Sequence, residues 1–200
     1  MSGNFWDEVY AETHYVFGTA PNAFLASQQA LLKPGQRALA VADGEGRNGV
    51  WLAEQGLDVL SVEYSVPAVK KARKLAQERG VTLEFEVADV LNWNWPQQAY
   101  DVVAAIFVQF AAPEQRTRLF AHMQAALKPG GLLILQGYTP KQITYKTGGP
   151  SAVENMYTTA LLRDAFAEMN IVHLAEHEEF ISEGTKHHGM SALIDMVAVK

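Results

Sequence analysis

Three acidic side chains and a cluster of glycines carry the chemistry that can be read in this chain. Asp43 and Glu45 flank Gly44 within Ala42-Asp43-Gly44-Glu45-Gly46-Arg47-Asn48; Glu63 closes one apolar stretch, and Asp89 comes just after another. Carboxylates at the ends of apolar runs accept hydrogen bonds from ribose hydroxyls or from an exocyclic amino group. Glycines let a ligand approach the backbone, and the first turn of a helix offers unpaired N–H groups. Together these residue types form the chemistry of a nucleoside site.

Gly44, Gly46 and Gly49 also spell Gly-x-Gly-x-x-Gly, a pattern that points to an NAD(P)-binding oxidoreductase. Asp43 and Glu45 argue against it, because they stand where a pyrophosphate would lie. A helix N-terminus attracts anions, but each close carboxylate repels one by about 1 kcal/mol or more. A ligand with ribose and adenine, no phosphate, an ammonium and a sulfonium suits the same residues. S-adenosylmethionine is that ligand, with S-adenosylhomocysteine as its product.

The elements that must position these groups emerge from hydrophobic pattern and punctuation. Residues 38–42 predict a short buried strand, 47–55 a helix stopped at Gly56, and a second strand ends at Glu63. Ser65, Pro67 and Gly80 bracket the next helix. Its buried stripe is Ala68, Val69, Ala72, Leu75 and Ala76, and its basic residues Lys70, Lys71, Arg73, Lys74 and Arg79 form a solvated face. Residues 83–87 alternate as a strand, and 100–107 form a continuous apolar strand of the kind buried on both faces of a parallel sheet. An amphipathic helix (113–127), a fifth strand (132–135) and a helix (158–169) come next. Two β-rich segments (171–181 and 190–199) form a hairpin around Gly184. A helix is also expected from Asn22 to Lys33, preceded by a segment rich in Phe, Tyr and Trp.

The expected architecture is α/β: a single-domain, doubly wound, mostly parallel seven-stranded Rossmann-like sheet with a C-terminal antiparallel hairpin. Residues 1–200 form one domain, with 1–33 as an aromatic N-terminal lid or helical extension. Right-handed crossovers bring the 42–46 turn, Glu63, Asp89 and the segment 107–110 to one sheet edge, where ligands bind at the reversal of strand order.

Bulk properties narrow the function. Two hundred residues with 48% hydrophobic content support one core. A net charge of −6 opposes an extended nucleic-acid interface, and the lack of cysteine excludes disulfides, thiolate metal sites and a cysteine nucleophile. The N-terminus lacks the basic start and apolar stretch of a signal peptide, and no window has the length of a membrane span. A soluble cytoplasmic protein acting on a small molecule is expected, with no membrane or nucleic-acid partner.

With these residues in place, the chain resembles the class I S-adenosylmethionine-dependent methyltransferases over residues 20–200. Within them it is similar to the small bacterial group related to tellurite-resistance and thiol or thiopurine methyltransferases. The resemblance is carried by Tyr15-Val16-Phe17-Gly18, Pro21-Asn22-Ala23-Phe24-Leu25, Gly44-Glu45-Gly46-Arg47-Asn48, Leu127-Lys128-Pro129-Gly130-Gly131, Thr147-Gly148-Gly149-Pro150 and His187-His188-Gly189. It implies that the turn at Ala42, Asp43, Gly44, Glu45 and Gly46, continued by Arg47 and Asn48, holds the methionine part of the cofactor. It also implies that Glu63 accepts from the ribose, with Tyr64 near the adenine. Asp89 would accept from the adenine amino group with Val90 beside it, and Phe107 would lie near the reacting sulfur. The family usually has an acidic residue where Ala40 stands and glycine where Ala42 stands. Asp43 either replaces the missing carboxylate in holding the cofactor's ammonium group or caps the turn.

Methyl transfer is an in-line displacement, for which positioning alone supplies up to roughly 7–11 kcal/mol. If the acceptor must lose a proton, the candidates are His14, Tyr15, His187 and His188, each of which also has a plainly structural reading. Gln109, Phe110, Tyr145 and the 147–150 loop are expected pocket walls. His173-x-x-Glu176-His177 matches a zinc motif, but that motif works on a helix, and the flanking residues predict a strand. No metal site is expected. A catalytically silent S-adenosylmethionine-binding regulator is the third functional class compatible with the sequence.

Overall fold

The computed structural model describes residues 3–200. Seven strands form one sheet in the order β3-β2-β1-β4-β5-β7-β6. The strands are β1 (Arg37–Val41), β2 (Asp58–Glu63), β3 (Glu84–Val87), β4 (Tyr100–Ile106), β5 (Leu127–Tyr138), β6 (Asn170–Glu183) and β7 (His187–Val199). β1 to β5 pair in parallel, whereas β7 pairs antiparallel with both β5 and β6. The expected parallel sheet with a terminal hairpin is therefore the observed one, and Gly184 turns the hairpin at φ 75°.

The helices are α1 (Gly3–Tyr10), α2 (Ala23–Ser27), α3 (Arg47–Glu54), α4 (Val66–Arg79), α5 (Pro113–Ala126) and α6 (Thr159–Ala165). Successive strand residues point to opposite faces, and this divides the core. Leu39, Val41, Val103, Ala105, Leu133 and Leu135 pack with Leu119, Phe120 and Met123 of α5. Ala38, Val102, Ala104 and Ile134 pack with Phe24, Leu25 and Leu52 on the other face. α4 begins at the cap Ser65, whose hydroxyl accepts from Ala68 N–H, and ends at Gly80 in the left-handed region (φ 68°).

Two helices are shorter than their patterns predict. α2 stops at Ser27 because the Ser27 hydroxyl and the Gln28 amide both donate to the carbonyl of Phe24, competing with the helical ladder. A 3-10 turn (Gln29–Leu31) completes that segment. α6 ends at Ala165, where Phe166 leaves helical geometry at φ −115° and buries its ring in the core. Among the described residues, no helix is long and apolar enough to cross a membrane.

Candidate active site

Strand order reverses between β1 and β4, and a cavity of about 300 Å³ opens at the carboxyl ends of the strands there. Each flanking strand delivers the residues at its carboxyl end: Ala42 to Glu45 with Arg47 and Asn48 after β1, Glu63 and Tyr64 from β2, Ala88 to Leu91 after β3, and Ile106, Phe107 and Phe110 from β4. Trp6, Tyr10, Phe17 and Gly18 close it from the N-terminal segment, and His187 from the start of β7.

Two non-glycine residues in the cavity wall hold positive φ, Ala42 at 49° and Phe107 at 57°. A Cβ in that region costs about 1 kcal/mol or more, and such outliers cluster at functional sites. The glycines serve distinct purposes. A Cβ on Gly44 would lie 2.7 Å from the Tyr10 hydroxyl, and one on Gly46 would lie 2.5 Å from the Ala72 Cβ. On Gly49 it would lie 2.4 Å from an Asp43 oxygen. Gly46 is thus a helix-packing position between α3 and α4 and, alone of the predicted cofactor residues, does not line the cavity.

The carboxylates are held in fixed directions. Asp43 accepts from Gly49 N–H with both oxygens (3.2 and 3.1 Å) and from the Ser61 hydroxyl (2.9 Å). Burial pushes its carboxyl up to about 7 against those hydrogen bonds. Glu63 accepts from Gly44 N–H (2.9 Å) and Ser65 N–H (2.8 Å), fastening the turn to β2. Burial raises its carboxyl above the ordinary range as well. Glu45 accepts from Val16 and Phe17 N–H and pairs with Lys71 at 2.7 Å, tying the N-terminal loop to the glycine turn. Asp89 accepts from Leu91 N–H and the Asn92 amide.

A second charged group gathers at the hairpin around Glu183, which the sequence pattern did not single out. Glu183, the last residue of β6, pairs with Arg47 Nη2 at 2.7 Å and accepts from the Asn22 amide (3.0 Å) and Ala23 N–H (3.3 Å). His187 Nδ1 lies 3.8 Å from the same carboxylate. Burial would raise Glu183, but His187 and Arg47 outweigh it and hold the carboxyl at about 2. Burial, aided by Arg47, pulls the His187 imidazole down, while Glu183 opposes that shift. Four buried side-chain polar atoms lack a hydrogen-bond partner among the described residues. Arg47 Nη1, His187 Nδ1 and the Tyr138 hydroxyl, three of the four, belong to this one group.

Other expected site residues lie elsewhere. The Tyr15 hydroxyl donates to the carbonyl of Lys71, and the Lys71 ammonium donates to the carbonyl of His14; neither His14 nor Tyr15 lines the cavity. His188 is exposed, beside Ser182 and edge-on to Phe180. Of the expected walls, Phe110 lines the cavity. Gln109 is occupied with both backbone groups of Tyr138, and Tyr145 bonds Glu178 on the surface. His173, Glu176 and His177 fall on β6, where Glu176 accepts from Thr159 and His177 pairs with Asp195 at 2.8 Å.

With this geometry in view, comparison with known proteins is informative. Residues 38–131, which span β1 to the start of β5, match the methyltransferase domain family. Phosphoethanolamine N-methyltransferase 3 of Arabidopsis thaliana is 31% identical over 112 residues, 54% of this chain and 22% of that protein. The chain spans well under two thirds of the length of the curated relatives it matches. Among solved structures, TehB from Haemophilus influenzae superposes with a TM-score of 0.73 at 14% identity, covering 99% of this chain and 66% of TehB. An S-adenosylmethionine-dependent methyltransferase from Methanosarcina mazei gives 0.71 at 16%, covering 90% and 98%. Part of the chain thus matches a methyltransferase domain, and the whole has the fold of solved structures that include an S-adenosylmethionine-dependent methyltransferase.

Proposed function

We propose that this chain transfers a methyl group from S-adenosylmethionine to a small nucleophile such as a thiol, a metalloid oxyanion or another small metabolite. The observation that carries the proposal is Arg47 Nη1, a buried donor without a partner among the described residues, beside the glycine turn in a cavity that also presents Glu63 and Asp89. A guanidinium with one free face suits a carboxylate, and the methionine part of the cofactor has one. The residues therefore fit the group: Arg47 and the 42–48 turn for the methionine end, Glu63 for the ribose, and Asp89 with Tyr64 and Val90 for the adenine. Asp43, whose oxygens already serve Gly49 and Ser61, shapes the turn from beneath in this reading.

When bound, the cofactor supplies an electrophilic methyl on a sulfonium. The chain's own contribution is enclosure. Phe17, Phe107, Trp6 and Tyr10 line the cavity, and an aromatic face against a cation favours it by about 0.5–2 kcal/mol. Their presence supports the N-terminal segment as a lid. The likeness to TehB supports placing the chain near the tellurite-resistance group.

A radiolabelled methyl screen over thiols, selenite, tellurite and small amines tests the proposal. Label in any acceptor, absent without protein, supports it. Cofactor binding with no transfer would leave a regulator, and NADH binding without adenosylhomocysteine binding would restore the oxidoreductase reading.

A further inference from the structure

We propose that His187 is the base that takes the acceptor's proton, and that Glu183 is its positioning residue. The inference rests on the methyl-transfer reading and narrows it to acceptors that arrive protonated, such as thiols, phenols or amines.

The geometry is that of a carboxylate–histidine pair at the cavity wall. The imidazole is clamped by rings on three sides, with centroids of Phe17 and Phe107 at 4.6 Å and Tyr138 at 5.7 Å. Its Nδ1 is buried and turned to Glu183 at 3.8 Å. At that distance the carboxylate acts on the ring through its charge and favours the imidazolium that a base forms. Nε2 is the other nitrogen of a ring that lines the cavity. Phe107, packed against the imidazole, comes directly after β4, where the resemblance places the reacting sulfur, so the ring lies at the end of the site where transfer would occur.

Glu183 can hold that ring only because it is itself held. Arg47 from α3, the Asn22 amide and Ala23 N–H fix its carboxylate from other elements. The groups that face the imidazole are Glu183 from β6, Arg47 from α3 and Tyr138 from β5. Burial and Arg47 pull the ring below the ordinary histidine range, toward the neutral form a base needs, while Glu183 opposes them.

In the step, the acceptor's X–H bond breaks and its proton goes to Nε2. The X lone pair forms the new bond to the methyl carbon, and the electron pair of the broken carbon–sulfur bond stays on sulfur. The positive charge passes from sulfonium to imidazolium, which then returns its proton to water.

NMR titration of His187 in the whole protein, with S-adenosylhomocysteine present, tests the pairing apart from turnover. The wild-type ring should titrate below the ordinary histidine range, and Glu183→Gln should lower it further, by about 1 unit or more. Methyl transfer to 2-mercaptoethanol tests the role. Glu183→Gln should lower kcat more than it changes KM and move the acidic limb of the pH profile down, with Glu183→Asp restoring part of the rate. His187→Ala should lose roughly 10²–10⁴-fold and regain rate with added imidazoles, in order of their basicity. An unmoved titration in Glu183→Gln, or His187→Ala at the wild-type rate, overturns the inference. Failure of adenosylhomocysteine to bind would instead sink the methyl-transfer reading and the base role with it.

Discussion

Asp43 illustrates how one side chain can answer two sequence readings. Its position beside Gly44 admits a ligand role or a cap, and its hydrogen bonds to Gly49 and Ser61 fill the cap role. A carboxyl raised from 3.8 to about 7 keeps a proton in the folded chain that the unfolded chain releases near 4. Its contribution to stability is therefore full below about 4 and lost as pH rises to about 7. Asp43→Asn should remove that loss, so its stability relative to wild type should rise across this window in urea titrations. Its affinity for adenosylhomocysteine should stay within about tenfold of wild type. A larger loss would return the ammonium to Asp43. Arg47→Lys keeps the charge but removes the fork; it should weaken adenosylhomocysteine at least about tenfold while leaving adenosine binding unchanged, both read by calorimetry. Equal weakening of the two ligands would place Arg47 outside the methionine end.

Elements bring these residues together through packing that hydrophobic pattern only partly reveals. The buried stripe of α4 and its caps were readable because period and punctuation agree. The ends of α2 and α6 were not, since local side-chain bonds and the burial of Phe166 override propensity. Gly46 belongs to the contact between α3 and α4: Gly46→Val should cost about 1–3 kcal/mol or more of stability from its clash with Ala72, measured by denaturant melts. α1 lies over the cavity through Trp6 and Tyr10, stacked with centroids at 5.5 Å. Asp7 on the same helix accepts from the Ser65 hydroxyl at 2.7 Å. Trp6→Ala should speed adenosylhomocysteine release several-fold with little change in melting temperature. An unchanged release rate would make α1 ordinary packing rather than a lid.

At the scale of the molecule, the sheet order and the ligand edge were legible because alternating strands and helices leave few topologies. Eleven of the twelve cofactor residues expected from sequence line one cavity, since each lies at or just past the end of a strand that the apolar pattern locates. Glu183 was not legible. It sits on the terminal hairpin and reaches Arg47 only across 136 residues of chain, a juxtaposition that no local spacing encodes. His14 and Tyr15 drew notice by type, yet the Tyr15 hydroxyl and the His14 carbonyl bond Lys71 and neither residue lines the cavity. Function in this molecule depends on which ligand occupies the edge between β1 and β4. Isothermal calorimetry of the whole chain with adenosylhomocysteine and, separately, NADH tests this most directly. One equivalent of adenosylhomocysteine bound with no heat from NADH is the predicted result; heat from NADH alone would contradict it.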